Sequence, residues 1–405
     1  MMAHTTPQVT LEQAAPQPRE APLGLYIHIP FCRRICPYCD FNVYARQEHL
    51  VPAYLAALQR ELTLWAERVD RRPLQTIYLG GGTPSLLEPA QVAELLETIS
   101  QKFMVLDRAE VTLEANPETL NVAKLAGYRT AGVNRLSIGV QTLARHGLKV
   151  LGRAHRPETP VEAFRAARAA GFENINLDLI YGWPGQLRED WMRDLQTVLS
   201  WEPEHLSLYA LTIEPGTPYE RGVRRGVLRP LDDDTMAEFA ELAAELLAAH
   251  GYEHYEISNW ARSGNWRSRH NQIYWRNGYY VGAGAGAHGY LDGRRTVNER
   301  FPAQYIERLG RGELPVVQTE LIDQRTEVVE TMILGLRLVV DGVSATAFRA
   351  RHGIDVVELY GPVLAELAAL DLIEWDGERL RLTPRGVWVA NEVAVRFLDP
   401  RGTLG

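Results

Sequence analysis

The chain has 405 residues and a formal net charge of −8. That length implies two or three domains and a core large enough to need neither disulfides nor a structural metal, and the acidic balance excludes nucleic-acid binding except through a local basic patch. Its three cysteines, an odd number confined to residues 32–39, exclude a secreted disulfide framework and imply a reducing compartment.

The start, "MMAHTTPQVTLEQAAPQPREAP", has no basic n-region and no apolar run, so no signal peptide is expected. Its Pro- and Gln-rich composition predicts a disordered leader over 1–23. No apolar run reaches membrane-spanning length. From 24 to 230 short β-branched or aromatic runs alternate with helical stretches. "LGLYIHIPF", "QTIYLGGG", "AEVTLEANP", "NRLSIGVQ", "NINLDLIYG" and "HLSLYALTI" read as strands. Helical patterns lie between them, as in "VPAYLAALQRELTLWAERV". Strand–helix alternation implies parallel pairing. Six such units predict an α/β fold, a partial (β/α)6 TIM-type barrel, with a doubly wound open sheet as the other option. Ligands in such sheets sit at the C-terminal strand ends, which is where the polar motifs fall.

From 231 to 322 the rhythm changes to a connecting α+β region. It has a long helix to His250 and a strand in "YEHYEISNWA". The Arg-rich loop "RSGNWRSRHNQIYWRNG" and the Gly/Ala-rich "YYVGAGAGAHGYL" follow. Residues 323–405 read as a small winged-helix-like domain with a hairpin from Trp375 to Leu382. Nine acidic and four basic residues between Asp355 and Pro400 argue against DNA binding and for packing or a protein interface.

The spacing Cys32-x3-Cys36-x2-Cys39 supplies three soft thiolates from one loop. Cubane iron–sulfur clusters usually take four, so three would leave one iron open to an exogenous group. A Cys3His zinc site using His28 is the other reading. "YLGGGTPS", Tyr78 to Ser85, lets a ligand meet bare backbone; it is neither a Walker loop nor a dinucleotide fingerprint.

"YIHIPFCRRICPYCDF", "LGGGTPSLL", "LEANPE", "RLSIGVQ" and "DLIYGWPGQ" together resemble the coproporphyrinogen-oxidase-like branch of the radical S-adenosylmethionine (SAM) superfamily, from about Leu25 to the C-terminus. The resemblance implies a radical SAM barrel holding a 4Fe-4S cluster on Cys32, Cys36 and Cys39. SAM would chelate the open iron, and reductive cleavage would yield a 5′-deoxyadenosyl radical. The implied SAM contacts are Tyr26, Tyr38, Gly81, Gly82, Thr83, Glu114, Gln141, Arg153 and Asp178. Each of the polar ones could also be an ordinary strand-end cap or salt bridge. Asp178 is the hardest to dismiss, because a charge rarely enters so apolar a strand without a partner.

Within that branch, the oxygen-independent coproporphyrinogen III oxidase carries a fourth cysteine where this chain has Phe41. The heme-chaperone subfamily has "CDF" there and an H-N-x-x-Y-W motif, found here as His270, Asn271, Tyr274 and Trp275. Imidazole ligates heme iron, and Tyr274 and Trp275 offer flat faces to a porphyrin. Arg262, Arg267, Arg269 and Arg276 can pair with its propionates. The resemblance thus implies a cytoplasmic heme chaperone with transient membrane contact. Its implied partners are heme, heme-acceptor proteins such as respiratory cytochromes, a second copy of the chain, and an electron donor if SAM is cleaved. The alternative is oxidative decarboxylation of coproporphyrinogen III to protoporphyrinogen IX.

Overall fold

The structure is a computed structural model that describes residues 21–398. Residues 1–20 of the leader expected over 1–23 lie outside the described residues, and Leu23 already opens the first strand. Six strands follow the alternation read from the sequence: β1 Leu23–Ile29, β2 Pro73–Gly81, β3 Met104–Ala115, β4 Arg135–Gln141, β5 Ile175–Tyr181 and β6 His205–Ala210. They pair in that order and in parallel. The connections carry α1 Val51–Arg68, α2 Pro89–Lys102, α3 Val122–Ala131, α4 Arg145–Val150, α5 Thr159–Ala169 and α6 Arg188–Leu199. β6 does not pair with β1, so the barrel is partial.

Local sequence sets the helix ends. Glu88 and Gln91 form a capping box around Pro89 at the start of α2. Asn121 accepts a hydrogen bond from the Lys124 amide to start α3, and Gly132, at φ 109°, ends it in the left-handed conformation. Along each strand the side chains alternate. Leu25 and Ile27, Leu136 and Ile138, and Leu177 and Leu179 face the helices in the main core.

After α7 Pro218–Arg224 and α8 Asp233–Ala249 the chain extends the sheet at both edges. β7 Glu253–Glu256 and β8 Asn259–Ala261 form a hairpin against β6, where the sequence suggested one strand. The Glu256 carboxylate closes its turn by accepting from the Ser258 amide and the Asn259 side chain.

The stretch expected to be an Arg-rich loop contains a helix, α9 Arg269–Trp275. Ser268 caps it, and Glu110 on β3 accepts hydrogen bonds from the Arg269 and His270 amides, both at 3.0 Å. These are orphan donors of a helix N-terminus, answered by a carboxylate from the sheet.

β9 Tyr280–Ala283 then pairs in parallel with the free edge of β1. β10 His288–Leu291, β11 Arg294–Asn298 and β12 Val316–Leu321 continue outward antiparallel, giving 12 strands. Gly284, at φ 103°, is needed where the chain leaves β9, since a Cβ there would lie 2.4 Å from the His28 carbonyl oxygen.

α10 Pro302–Gly310 sits between β11 and β12. The last elements are α11 Gln324–Gly335, β13 Val343–Ser344, α12 Ala345–His352, α13 Val356–Ala369, β14 Ile373–Trp375, β15 Arg379–Leu382, α14 Pro384–Trp388 and α15 Ala390–Arg396. They surround a second core that includes Met332, Phe348, Tyr360 and Leu380. Among the described residues no helix is long and apolar enough to cross a membrane.

Glu61 on α1 is fully buried and holds the β9–β11 extension in place. Its carboxylate accepts from the Gly284 amide (2.8 Å), Asn298 Nδ2 (2.6 Å), the Tyr305 hydroxyl (2.5 Å) and Trp65 Nε1 (3.2 Å). Burial pushes this carboxyl up to about 7 against the pull of those donors. Glu61→Ala leaves the donors unpaired, and a loss of about 3 kcal/mol is expected in denaturant unfolding. The pH dependence has a definite sign. Between about 4.5 and 7 the unfolded chain has released this proton while the folded chain keeps it. The contribution is therefore full below 4.5 and is lost as pH rises through about 7. Comparing wild-type and Glu61→Gln unfolding midpoints across that window checks the slope, which the amide lacks.

Candidate functional site

The polar residues of the six parallel strands face inward, toward a cavity of ≈ 370 Å³ at their C-terminal ends. Cys32, Cys36 and Cys39 all line it. Cys32 lies in a two-residue strand, Phe31–Cys32, paired with Tyr44–Ala45. The Cys39 amide donates to the Cys36 carbonyl, which folds the last two cysteines into a turn. The glycine loop after β2 grips the same segment: the Gly82 amide donates to the Ile29 carbonyl and the Thr83 amide to that of Phe31, both at 2.9 Å. A Cβ on Gly82 would lie 2.7 Å from the Ile29 oxygen.

The donor set fits a cluster. Thr83 Oγ1 donates to Cys32 Sγ at 3.5 Å, and Arg153 Nη1 approaches Cys36 Sγ at 3.8 Å. Burial pushes the Cys32 thiol up, and that of Cys39 to about 11, so a bound cation is what would draw off their protons. Among the described residues no three His, Cys, Asp or Glu side chains close around a single ion. His28 is not their fourth partner: its ring nitrogens are bonded to the Tyr26 hydroxyl (2.9 Å) and the Asn42 carbonyl (2.8 Å).

Most of the residues expected to bind SAM converge here. Tyr38, Gly81, Gly82, Thr83, Glu114, Gln141, Arg153 and Asp178 line the cavity. Glu114 accepts from the Tyr78 hydroxyl (2.7 Å) and the Gly81 amide (3.0 Å), and burial raises its carboxyl to about 7. Gln141 ends β4 at φ 65°, a strained backbone for a residue other than glycine. Arg153 Nη2 donates to Asn116 Oδ1 (2.6 Å) and the Gly139 carbonyl (3.1 Å). Asp178 accepts from Ser137 (2.9 Å) and Asn176 (2.8 Å), the partners its apolar strand demanded. Arg153 and Asp178 are not bonded to each other. Tyr26 lines a neighbouring cleft instead.

The H-N-x-x-Y-W residues separate. Asn271 lines the cysteine cavity, and Tyr274 lines the neighbouring cleft. The Trp275 ring is covered by the Arg337 guanidinium, 4.3 Å from its centre. His270 is 1% exposed, and its ring nitrogens are taken by the hydroxyls of Thr76 and Tyr274, both at 2.7 Å. It stacks on Tyr78 with ring centroids 4.9 Å apart, and burial lowers its pKa to about 3. In this structure the imidazole that the sequence offered to heme iron is a neutral strut between β2 and α9. Of the arginines offered to propionates, Arg267 and Arg276 pair with Asp341.

Arg135 escaped the sequence reading. It is 2% exposed and lines the cavity within electrostatic reach of both Glu114 and Asp178. The signal was present in "RLSIGVQ", where Arg135, Ser137, Gly139 and Gln141 alternate with Leu136, Ile138 and Val140.

Comparison with known proteins adds independent findings. The Radical SAM superfamily profile matches residues 26–198, and that of the HemN C-terminal domain matches 322–389. The chain is 40% identical to the heme chaperone HemW of Bacillus subtilis over 92% of this chain and 98% of that one. It is also 40% identical to HemW of Mycobacterium tuberculosis, over 96% and 98%. The solved coproporphyrinogen III oxidase HemN of Escherichia coli shares the fold, with a TM-score of 0.81 at 23% identity over 94% of this chain and 91% of that one.

Arg135→Met removes the cation facing two buried carboxyls while keeping most of its volume. The expected loss is about 3 kcal/mol of unfolding free energy; an unchanged denaturant midpoint would contradict that electrostatic role.

Proposed function

The chain belongs to the radical SAM superfamily and, within it, to the family of the heme chaperone HemW, and on that premise we propose that it holds a 4Fe-4S cluster and SAM in the cysteine cavity and delivers heme to acceptor proteins. The observation that carries the cofactor reading is the convergence of three thiols, a glycine loop and buried carboxyls on one cavity. Cys32, Cys36 and Cys39 would hold the cluster. When bound, such a cluster would supply an electron for reductive chemistry on SAM.

The chain's own residues do the positioning. Thr83 and Arg153 orient two of the sulfurs by hydrogen bonds. Glu114, pinned by Tyr78 and Gly81, presents a carboxyl to a cationic amino group. Tyr38, packed edge-on against Tyr219, lines the cavity beside the cysteines. The chaperone part of the reading rests on kinship with HemW along nearly the whole chain. Phe41 agrees with it, since it stands where the resemblance to the oxidase would require another cysteine.

Anaerobic reconstitution tests both parts. About four irons per chain are expected, with Cys36→Ala retaining far less; one tightly bound zinc and no iron would sink the cluster. The reconstituted chain is expected to load heme, pass it to an apo-cytochrome and leave coproporphyrinogen III unconverted. Robust decarboxylation without heme transfer would establish the oxidase instead.

A further inference from the structure

Resting on the heme-chaperone reading, we propose that heme docks in the cleft beside the cysteine cavity, with His288 as a ligand to its iron and Phe41 against the porphyrin face. The cleft has a volume of ≈ 570 Å³ and is bordered by β1, the segment after Cys39, and the β9–β11 extension. Binding pockets for cofactor-sized molecules span roughly 300–1,000 Å³. Tyr26, Phe41, Tyr274 and Tyr280 supply aromatic walls among its lining residues, and flat rings are what a porphyrin packs on.

Phe41 is 67% exposed and borders both the cleft and the cysteine cavity. Its position is fixed by its neighbour. Asn42 Nδ2 donates to the Ala285 carbonyl (3.0 Å) and to that of Arg300 (2.9 Å), clamping this segment onto the turn after β9 and the end of β11. Asp40, Gly81 and Glu114 also border both spaces, so a porphyrin here lies next to the cofactors.

Iron selects among the histidines. His28 also lines the cleft, but both its ring nitrogens are engaged. His270 is buried and doubly bonded. His288, on the first residue of β10, is exposed at the cleft, and its ring makes no hydrogen bond to any described residue. Partial burial holds that ring below the usual histidine range, which keeps it in the neutral form that binds metal. Arg300 lies at the rim and forms no ion pair with a carboxylate among the described residues, so it offers a guanidinium to a propionate.

Hemin titrated into the purified full chain, read in the Soret region, tests the site. Wild type is expected to give a histidine-ligated spectrum. His288→Ala, a change at an exposed position, should shift the Soret band and weaken binding about tenfold or more, with added imidazole restoring the ligated spectrum. Phe41→Ser should weaken binding without shifting the band. His270→Asn should keep the wild-type spectrum. If His288→Ala binds hemin with wild-type spectrum and affinity, or if the ligated spectrum is lost in a folded His270→Asn, this site is overturned while the chaperone reading stands. If wild type binds no hemin, both fall.

Discussion

The inner wall of the barrel is polar and buried at once, and most of the molecule answers to that fact. The outward residues of the six parallel strands are ordinary aliphatic core. The inward ones include Thr76, Glu110, Glu114, Arg135, Ser137, Asn176, Asp178, His205 and Ser207. Such groups destabilise a fold unless they find partners. Most find them in each other. Asn176 donates to Ser137 and Asp178, and its side-chain oxygen accepts from His205 and Ser207. His205 in turn is bonded to Tyr255. A wall that satisfies itself in this way holds its side chains rigid before any ligand arrives.

The same economy explains the open end. The cysteine segment has little secondary structure of its own, so it borrows rigidity. The glycine loop takes its backbone, Tyr44 pairs beside it, and Asn42 fastens it to the β9–β11 extension. That extension is anchored in turn by Glu61 from α1. Three segments far apart in sequence therefore set the position of Phe41, and Phe41 divides the cysteine cavity from the aromatic cleft.

α9 links the two halves of the molecule. Its N-terminus rests on Glu110 of the barrel, and His270 is stacked inside. Its other side meets the C-terminal elements, through Arg337 over Trp275 and through Asp341, which pairs with Arg267 and Arg276. The hexapeptide is thus a structural joint with one residue, Asn271, reaching one cavity and another, Tyr274, reaching the other.

By itself the sequence determined the six parallel strands, because alternation and strand–helix rhythm are local patterns that burial on both faces enforces. It also determined the three-thiol loop and the residues around it, since Gly81, Glu114 and Gln141 fall at or near strand ends and Asp178 points inward from the middle of β5. It carried, unread, the period-two signal that places Arg135 inward. Tertiary structure alone decided what became of the region after Trp260. A loop turned into α9 because a carboxylate 160 positions earlier caps it. The Gly/Ala-rich stretch became sheet because β1 had a free edge. Whether a histidine faces a ligand or the core depends on which hydroxyls stand nearby, and that separates the buried His270 from the exposed His288. Hydrogen bonds between distant segments leave no periodic trace in a chain, so only the fold could assign them.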